Sequence, residues 1–125
     1  VVVVSPQRLK ALKGEPALGL YEDGVIYLNE DLTRREALGV LAHEYGHAWQ
    51  YQTRSDIDRV ETLLFEGFAE WLSYRVLAEA GDTEGTASVM RDTSIYGRGA
   101  RWFLSLEKRE GVDGVLHRAR HSIRA

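Results

Sequence analysis

The segment His43-Glu44-Tyr45-Gly46-His47 constrains this chain more than any other stretch, because it places two imidazoles four residues apart within a helical periodicity. Residues i and i+4 of an α-helix lie above one another on the same face. His43 and His47 can therefore direct two nitrogen atoms at one metal ion. Glu44 faces the same cleft, where it can hold the attacking water. The segment thus predicts a catalytic metal site with a general base and an open coordination position.

The composition fits one globular domain and excludes several classes of protein. The 125 residues are enough for one core but not for two, so we expect a single domain over residues 1–125. A net charge of −3 with scattered basic residues argues against a nucleic-acid partner. No apolar run approaches the length needed to span a membrane. The chain has no cysteine, which excludes disulfides and Cys-ligated zinc.

The ends of the chain and its compartment follow only in part from the sequence. Because the chain begins at Val1 rather than at methionine, we expect a fragment of a longer protein. No export signal is visible, which favours the cytoplasm. The redox compartment and the oligomeric state do not follow from the residues.

The first thirty residues predict a small sheet with one helix. Val1–Val4 is β-branched throughout, as expected of a buried strand. Ser5-Pro6 provides an N-cap and a proline at the first helical position, and Gly14 ends the short helix that follows. Asp23-Gly24 lies between two β-prone runs, the second being Val25–Asn29, and this arrangement predicts a hairpin.

The middle of the chain predicts a largely buried helix over about residues 34–52. Thr33 and Glu36 form a capping box at its start. Broad apolar faces surround the two histidines. A helix held in the core in this way keeps its metal ligands at fixed geometry.

A second helix is predicted over about residues 59–80, where apolar residues recur close to a 3.6-residue period. Glu66 and Glu70 lie one turn apart on this helix. A glycine inside a helix is costly. We therefore expect Gly67 to allow the close approach of another backbone, that of the first helix.

The remaining residues predict further helices, which complete an α+β fold. A short helix ends near Met90, a longer one covers Ile95–Arg109 before Gly111, and a last one runs from Asp113 to about His121.

The third metal ligand has to come from another element, and Glu66 is the candidate. Eighteen residues separate it from His47, enough to finish one helix, turn and return antiparallel with a carboxylate. Two histidines and one glutamate with a water at the fourth position form a recognised catalytic zinc set. His117 and His121 are a second i,i+4 pair, but they lie among arginines near a helix C-terminus, which favours a solvated last turn.

The motif, its spacing to Glu66 and the segment Glu66–Glu70 resemble those of the gluzincin metallopeptidases. The spacing equals that of the large gluzincin aminopeptidases, which carry a similar Glu-Gly-Phe-Ala sequence, and the small size resembles the single-domain minigluzincins. Leu41–Trp49 is similar to the peptidase domain that follows LIM domains in plant growth-control peptidases. The resemblance covers about Leu38–Tyr74. The Gly-x-Met-Glu-Asn signature of the large aminopeptidases is absent, so their specificity is not implied.

The resemblance implies a zincin-like fold, in which the small N-terminal sheet packs on the motif helix and on the helix that bears the third ligand. It assigns His43, His47 and Glu66 to one Zn²⁺ ion and Glu44 to the general base. It also implies that Glu70 accepts a hydrogen bond from His43, which fixes the imidazole tautomer.

Tyr96 is a candidate for a second catalytic role. Gluzincin-type hydrolysis needs a donor to the oxyanion, and Tyr96 precedes Gly97 in a stretch flexible enough to bring its hydroxyl near the zinc. The alternative is an aromatic side chain packed under a glycine-rich turn. Arg98 and Arg101 are further candidates for the same role or for a substrate carboxylate.

We therefore expect a zinc metallopeptidase that cleaves peptide or protein substrates. The substrate is predicted to extend along the edge strand of the sheet, identified here as Val25–Asn29. One alternative is a catalytically silent or self-inhibited, zymogen-like minigluzincin whose cleft is filled by a segment of chain. The other is a binding module whose zinc is structural, which requires a fourth protein ligand.

Overall fold

The structure is a computed structural model that describes residues 1–125. A small sheet is followed by a helical body, which confirms the predicted α+β fold. The strands are β1 (Val2–Val4), β2 (Gly19–Glu22) and β3 (Val25–Asn29), and the helices are α1 (Pro6–Lys13), α2 (Arg34–Thr53), α3 (Thr62–Glu79), α4 (Thr83–Arg91) and α5 (Ile95–His121). A single 3₁₀ turn, Ile57–Arg59, precedes α3.

The sheet has the order β1-β3-β2, so β3 lies in its centre. β3 pairs parallel with β1 and antiparallel with β2. The hairpin between β2 and β3 turns at Asp23 and Gly24, whose φ angles of 49° and 82° suit a tight two-residue turn. The prediction that Val25–Asn29 is an edge strand is wrong, because the chain passes through α1 and β2 and then places β3 between β1 and β2. The edges of the sheet are β1 and β2.

The N-terminal strand forms where predicted, but it is not buried. Val2 is 43% exposed and Val3 is 63% exposed, since β1 is a short edge strand with little of the molecule packed over it. Its β-branched residues therefore favour strand pairing without joining the core. The predicted bounds of α1 are confirmed: Ser5 caps its start and Gly14, with a φ of 88°, ends it.

α2 starts at the predicted capping box and runs one residue beyond its predicted end. The Thr33 hydroxyl accepts a hydrogen bond from the Glu36 amide, and the Glu36 carboxylate accepts one from the Thr33 amide. α3 returns antiparallel to α2. A Cβ on Gly46 of α2 would lie only 2.9 Å from the Cα of Ala69 in α3, so this glycine allows the two helices to pack closely.

Gly67 allows a different close contact from the one predicted. A Cβ at this position would lie 2.6 Å from the Cα of Gly99 in α5, so Gly67 faces α5 and not α2. The prediction that it faces α2 is wrong because successive helical residues point about 100° apart. Glu66 faces α2, and Gly67, turned by about 100° from it, faces α5.

The core lies mainly between α3 and α5, away from the sheet. Its buried members are Leu64, Phe68, Trp71, Phe103, Leu106, Val115 and Ala119. Trp49 and Trp102 pack against this core while remaining partly exposed, whereas Trp71 is buried within it. The predicted break at Gly111 appears as a kink, with φ 75°, between two helical parts of α5. None of the helices has the length and apolar character needed to cross a membrane.

Candidate metal centre

The facing surfaces of α2 and α3 bring His43, His47 and Glu66 together. Glu66 Oε1 lies 2.8 Å from His47 Nε2 and 3.3 Å from His43 Nε2, and the two Nε2 atoms are 3.2 Å apart. Ligand atoms that each lie about 2.0–2.1 Å from a tetrahedral zinc ion are about 3.3–3.4 Å from one another. The three atoms therefore already lie close to the corners of a metal-binding triangle.

The charges around these atoms favour a cation. Burial lowers the pKa of His43, but hydrogen bonds with Glu66 and Glu70 outweigh burial and raise that pKa to about 9. Burial raises the pKa of Glu66, but hydrogen bonds with the two histidines outweigh this effect and bring it down to about 2. Positive charge is thus stabilised where the three side chains meet, whether it is carried by a proton or by a metal ion.

Glu44 lies beside the metal-binding triangle, on the same helix. It is only 8% exposed, and burial raises the pKa of its carboxyl group. Gly19 of β2 packs directly over it: a Cβ at Gly19 would lie 3.1 Å from Glu44 Cγ and 2.6 Å from Val40 Cγ1. The edge strand β2 can therefore pass close to this carboxylate only because it carries a glycine there.

In each histidine the Nδ1 atom, which is not one of the candidate ligand atoms, contacts a further side chain. Glu70 Oε1 lies 3.3 Å from His43 Nδ1, as the resemblance implies. Gln50 Oε1 lies 2.9 Å from His47 Nδ1, a contact that the sequence reasoning missed. The sequence signal that could have indicated this contact is that Gln50 is polar and lies three positions after His47, although the burial of that helix face is known only from the structure.

Tyr96 also reaches the site, although its surroundings differ from those predicted. It lies in the first turn of α5, and its ring centroid is 5.8 Å from that of His43. Burial and nearby carboxylates, Glu66 foremost, raise the pKa of its hydroxyl, which keeps it a hydrogen-bond donor. The stretch is not a flexible turn, because Gly97 packs tightly against the backbone of Asp92.

The other candidate residues lie outside this cluster. Arg101 donates hydrogen bonds to the carbonyl oxygens of Met90 and Asp92, where it links the end of α4 to α5. Arg98 lines a separate small pocket. His117 and His121 are exposed on α5, as predicted.

A cleft of about 650 Å³ opens onto His43, Glu44 and Tyr96. Its walls come from β2, α2, α3 and α4, with apolar contributions from Val40 and Leu77. The cleft gives a molecule outside the protein access to His43, one member of the His-His-Glu group.

Fold and site together define a small α+β protein with a His-His-Glu group beside an open cleft that His43 lines. The chain belongs to the BSP family, described as peptidases of plants and bacteria, which matches residues 25–123. The match runs from β3 to the end of α5 and so includes every residue of the cluster. The family confirms the prediction of a peptidase. No curated protein and no solved structure matches the chain with significant similarity.

Proposed function

We propose that this chain is a single-domain zinc metallopeptidase of the gluzincin type. His43, His47 and Glu66 would hold one Zn²⁺ ion, and Glu44 would act as the general base. The observation that carries the proposal is the convergence of three ligand atoms within 3.3 Å of one another beside a buried glutamate. Membership of a peptidase family supports the same conclusion.

The proposed chemistry divides between the metal and two side chains. A bound zinc ion supplies Lewis acidity, which acidifies water and polarises a peptide carbonyl. Glu44 accepts the proton of the attacking water and later delivers it to the leaving amine. Its raised pKa suits a group that must take up a proton and then release it. The Tyr96 hydroxyl donates a hydrogen bond to the peptide carbonyl oxygen as that oxygen becomes an oxyanion.

The substrate would extend along β2 rather than β3. β3 is paired on both sides, whereas one edge of β2 is free. Gly19 brings that strand against Glu44, and both residues line the cleft. A peptide paired with the free edge by main-chain hydrogen bonds would therefore pass next to the general base.

The proposal is tested by incubating the zinc-loaded protein with a diverse peptide library and identifying the products by mass spectrometry. Wild-type protein should cleave a subset of peptides. Glu44→Gln should keep stoichiometric zinc but lose about 10²–10⁴-fold in turnover, the usual contribution of a general base. Glu79→Gln, an exposed glutamate on α3, is the matched control and should keep full activity. A fully active Glu44→Gln variant would refute the assigned base.

The two alternative functions differ in what fills the fourth position of the metal. The metal-binding group contains three residues, His43, His47 and Glu66, and the cleft beside it is open. This arrangement supports a catalytic site over a closed structural one. A silent or self-inhibited enzyme would be favoured if wild-type protein bound zinc but cleaved nothing, or became active only after proteolytic trimming.

A further inference from the structure

Gln50 is the polar side chain most completely enclosed next to the metal-binding cluster. It lies three residues after His47 on α2 and is only 3% exposed. Its amide makes two hydrogen bonds, one at each end. Oε1 lies 2.9 Å from His47 Nδ1, and Nε2 donates to the carbonyl oxygen of Phe65 at 3.0 Å. A buried amide satisfied at both ends has one orientation.

That orientation determines the tautomer of His47. The Phe65 carbonyl can only accept a hydrogen bond, so the NH₂ group of Gln50 must face it. The amide oxygen then faces His47, and because this oxygen also only accepts, Nδ1 of the neutral imidazole must carry the proton. In the metal-bound form Nε2 is then left with its lone pair for the ion, at the position from which it contacts Glu66 Oε1 and His43 Nε2.

We propose that Gln50 is a positioning residue that locks His47 in its Nδ1–H tautomer and thereby prepares Nε2 to bind the metal. The inference rests on the metal site proposed above. Metal-bound histidines are commonly oriented by a hydrogen bond at the second ring nitrogen. The Phe65 carbonyl in α3 sets the orientation of the Gln50 amide, and the amide in turn sets which nitrogen of His47 can bind the metal.

Gln50 also couples the two helices that supply the ligands. Phe65 directly precedes Glu66, so the amide connects the HExxH helix to the turn of α3 that carries the third ligand. The Phe65 ring stacks on the His47 imidazole, with centroids 4.2 Å apart and planes inclined by 21°. His47 is thus fixed along one edge by Gln50 and across one face by Phe65.

The two histidines differ in the charge of the group behind them. His43 is backed by the carboxylate of Glu70, whereas His47 is backed by a neutral amide. Glu44, Glu66 and Glu70 already bring three acidic groups into a partly buried space. A neutral partner at position 50 orients the second imidazole without adding a fourth charge there.

The test measures zinc affinity by competition with a chromophoric chelator. Gln50→Leu keeps the approximate volume but removes both hydrogen bonds, and it should weaken zinc binding about 10–100-fold. Gln50→Glu keeps an acceptor for His47 Nδ1 and should bind zinc more tightly than Gln50→Leu. Gln52→Leu, an exposed glutamine on the same helix, is the matched control and should bind like wild type.

A second readout follows the tautomer itself. In ¹⁵N spectra of the zinc-free wild-type protein, the neutral form of the His47 ring should carry its proton on Nδ1, and that proton should exchange slowly with solvent. This measurement needs no variant, so it decides the matter even if Gln50→Leu fails to fold. A His47 ring without a proton on Nδ1 would overturn the inference.

Two affinity results would also overturn it. In the first, Gln50→Leu binds zinc as tightly as wild type; in the second, Gln50→Glu binds zinc as weakly as Gln50→Leu, which indicates a packing role alone. Both outcomes leave wild-type zinc binding intact and so spare the proposed function. Wild-type protein that binds no zinc would instead refute the proposed metal site.

Discussion

Tyr96 lies beside the metal ligands without contributing a ligand atom. Its ring approaches His43, its hydroxyl keeps its proton because its pKa is raised, and its side chain lines the cleft. A donor held rigidly at the start of a helix is already oriented before a substrate arrives. This preorganisation is the property that makes oxyanion stabilisation effective.

Replacing Tyr96 with Phe removes the donor and keeps the ring. We expect kcat to fall about 10²-fold, as for the loss of one oxyanion donor, with zinc affinity unchanged. The measurement is steady-state kinetics on a peptide cleaved by the wild type. Tyr45→Phe is the control, since Tyr45 is 61% exposed within the same motif and should tolerate the change. Unchanged kcat in Tyr96→Phe would remove this residue from the mechanism.

At the residue scale, the spacing of residues in the sequence was enough to predict that His43, His47 and Glu66 lie together. A helix repeats every 3.6 residues, so the separation of His43 and His47 already places both imidazoles on one face. Eighteen intervening residues made Glu66 a plausible partner, and the structure brings its carboxylate to them. Gln50 could not be assigned in the same way, because its role depends on which face of α2 is covered by α3.

At the scale of elements, α3 is held between α2 and α5 by pairs of small residues. On one side Gly46 meets Ala69, and on the other Gly67 meets Gly99. These contacts set the distance at which α3 lies from its neighbours. Because Glu66 lies on α3 next to Gly67, the position of the third ligand depends on packing against α5 as well as α2.

Gly99→Ala should therefore destabilise the protein. The added Cβ would lie 2.5 Å from both the Cα of Gly67 and the carbonyl oxygen of Leu63, which are backbone atoms that cannot rotate away. We expect the free energy of unfolding to fall by about 1–3 kcal/mol, the usual cost of overpacking, as measured by urea denaturation.

Gly39→Ala is the matched control for this substitution. Gly39 is a helical glycine of α2, and a Cβ there would come no closer than 3.3 Å to the Ser73 hydroxyl. Relief of the glycine penalty, about 1 kcal/mol, should offset that contact. Equal stability of Gly99→Ala and wild type would contradict the role given to the glycine pair.

Elements whose signals are local were predicted well. The capping box of Thr33 and Glu36 and the Asp23-Gly24 hairpin each involve residues within a few positions, so the sequence contains the whole interaction. The central place of β3 and the partner of Gly67 depend on which distant segment packs alongside. No local pattern records that choice, and both predictions were wrong.

At the scale of the whole molecule, Arg54 joins the end of α2 to the C-terminal end of the chain. Its guanidinium donates to the carbonyl oxygens of Ala119 and Ser122 and forms a two-point ion pair with Asp56. The Arg54 side chain is only 5% exposed. It therefore satisfies carbonyl groups at the end of α5 that the helix itself leaves unpaired.

Arg54→Met should lower the free energy of unfolding by about 2 kcal/mol, because two carbonyl oxygens lose a charged donor. Arg91→Met, at an exposed arginine on α4, is the control and should have little effect. Thermal and urea denaturation report the change. If both variants were as stable as wild type, the contacts of Arg54 with the end of α5 would not stabilise the fold.

The same ion pair predicts a pH dependence. The hydrogen bond from Arg54 lowers the pKa of Asp56 below its ordinary value of 3.8. A carboxylate with a lowered folded-state pKa contributes its stabilisation above the unfolded value, and this is lost as the pH falls through the lowered one. Between neutral pH and about pH 4 the difference in stability between wild type and Arg54→Met should stay constant, and it should shrink in stronger acid.

Removing the metal should lower the stability of the folded protein without unfolding it. The buried core between α3 and α5 does not include the metal-binding side chains, so most of the apolar burial persists without zinc. Chelation should therefore lower Tm while the far-UV circular dichroism spectrum is retained. Free zinc at about 100 times its Kd should restore about 2.7 kcal/mol. Glu66→Ala should show no such zinc-dependent shift. Loss of the helical spectrum on chelation would indicate that the ion holds the fold together, which is the behaviour of a structural site rather than a catalytic one.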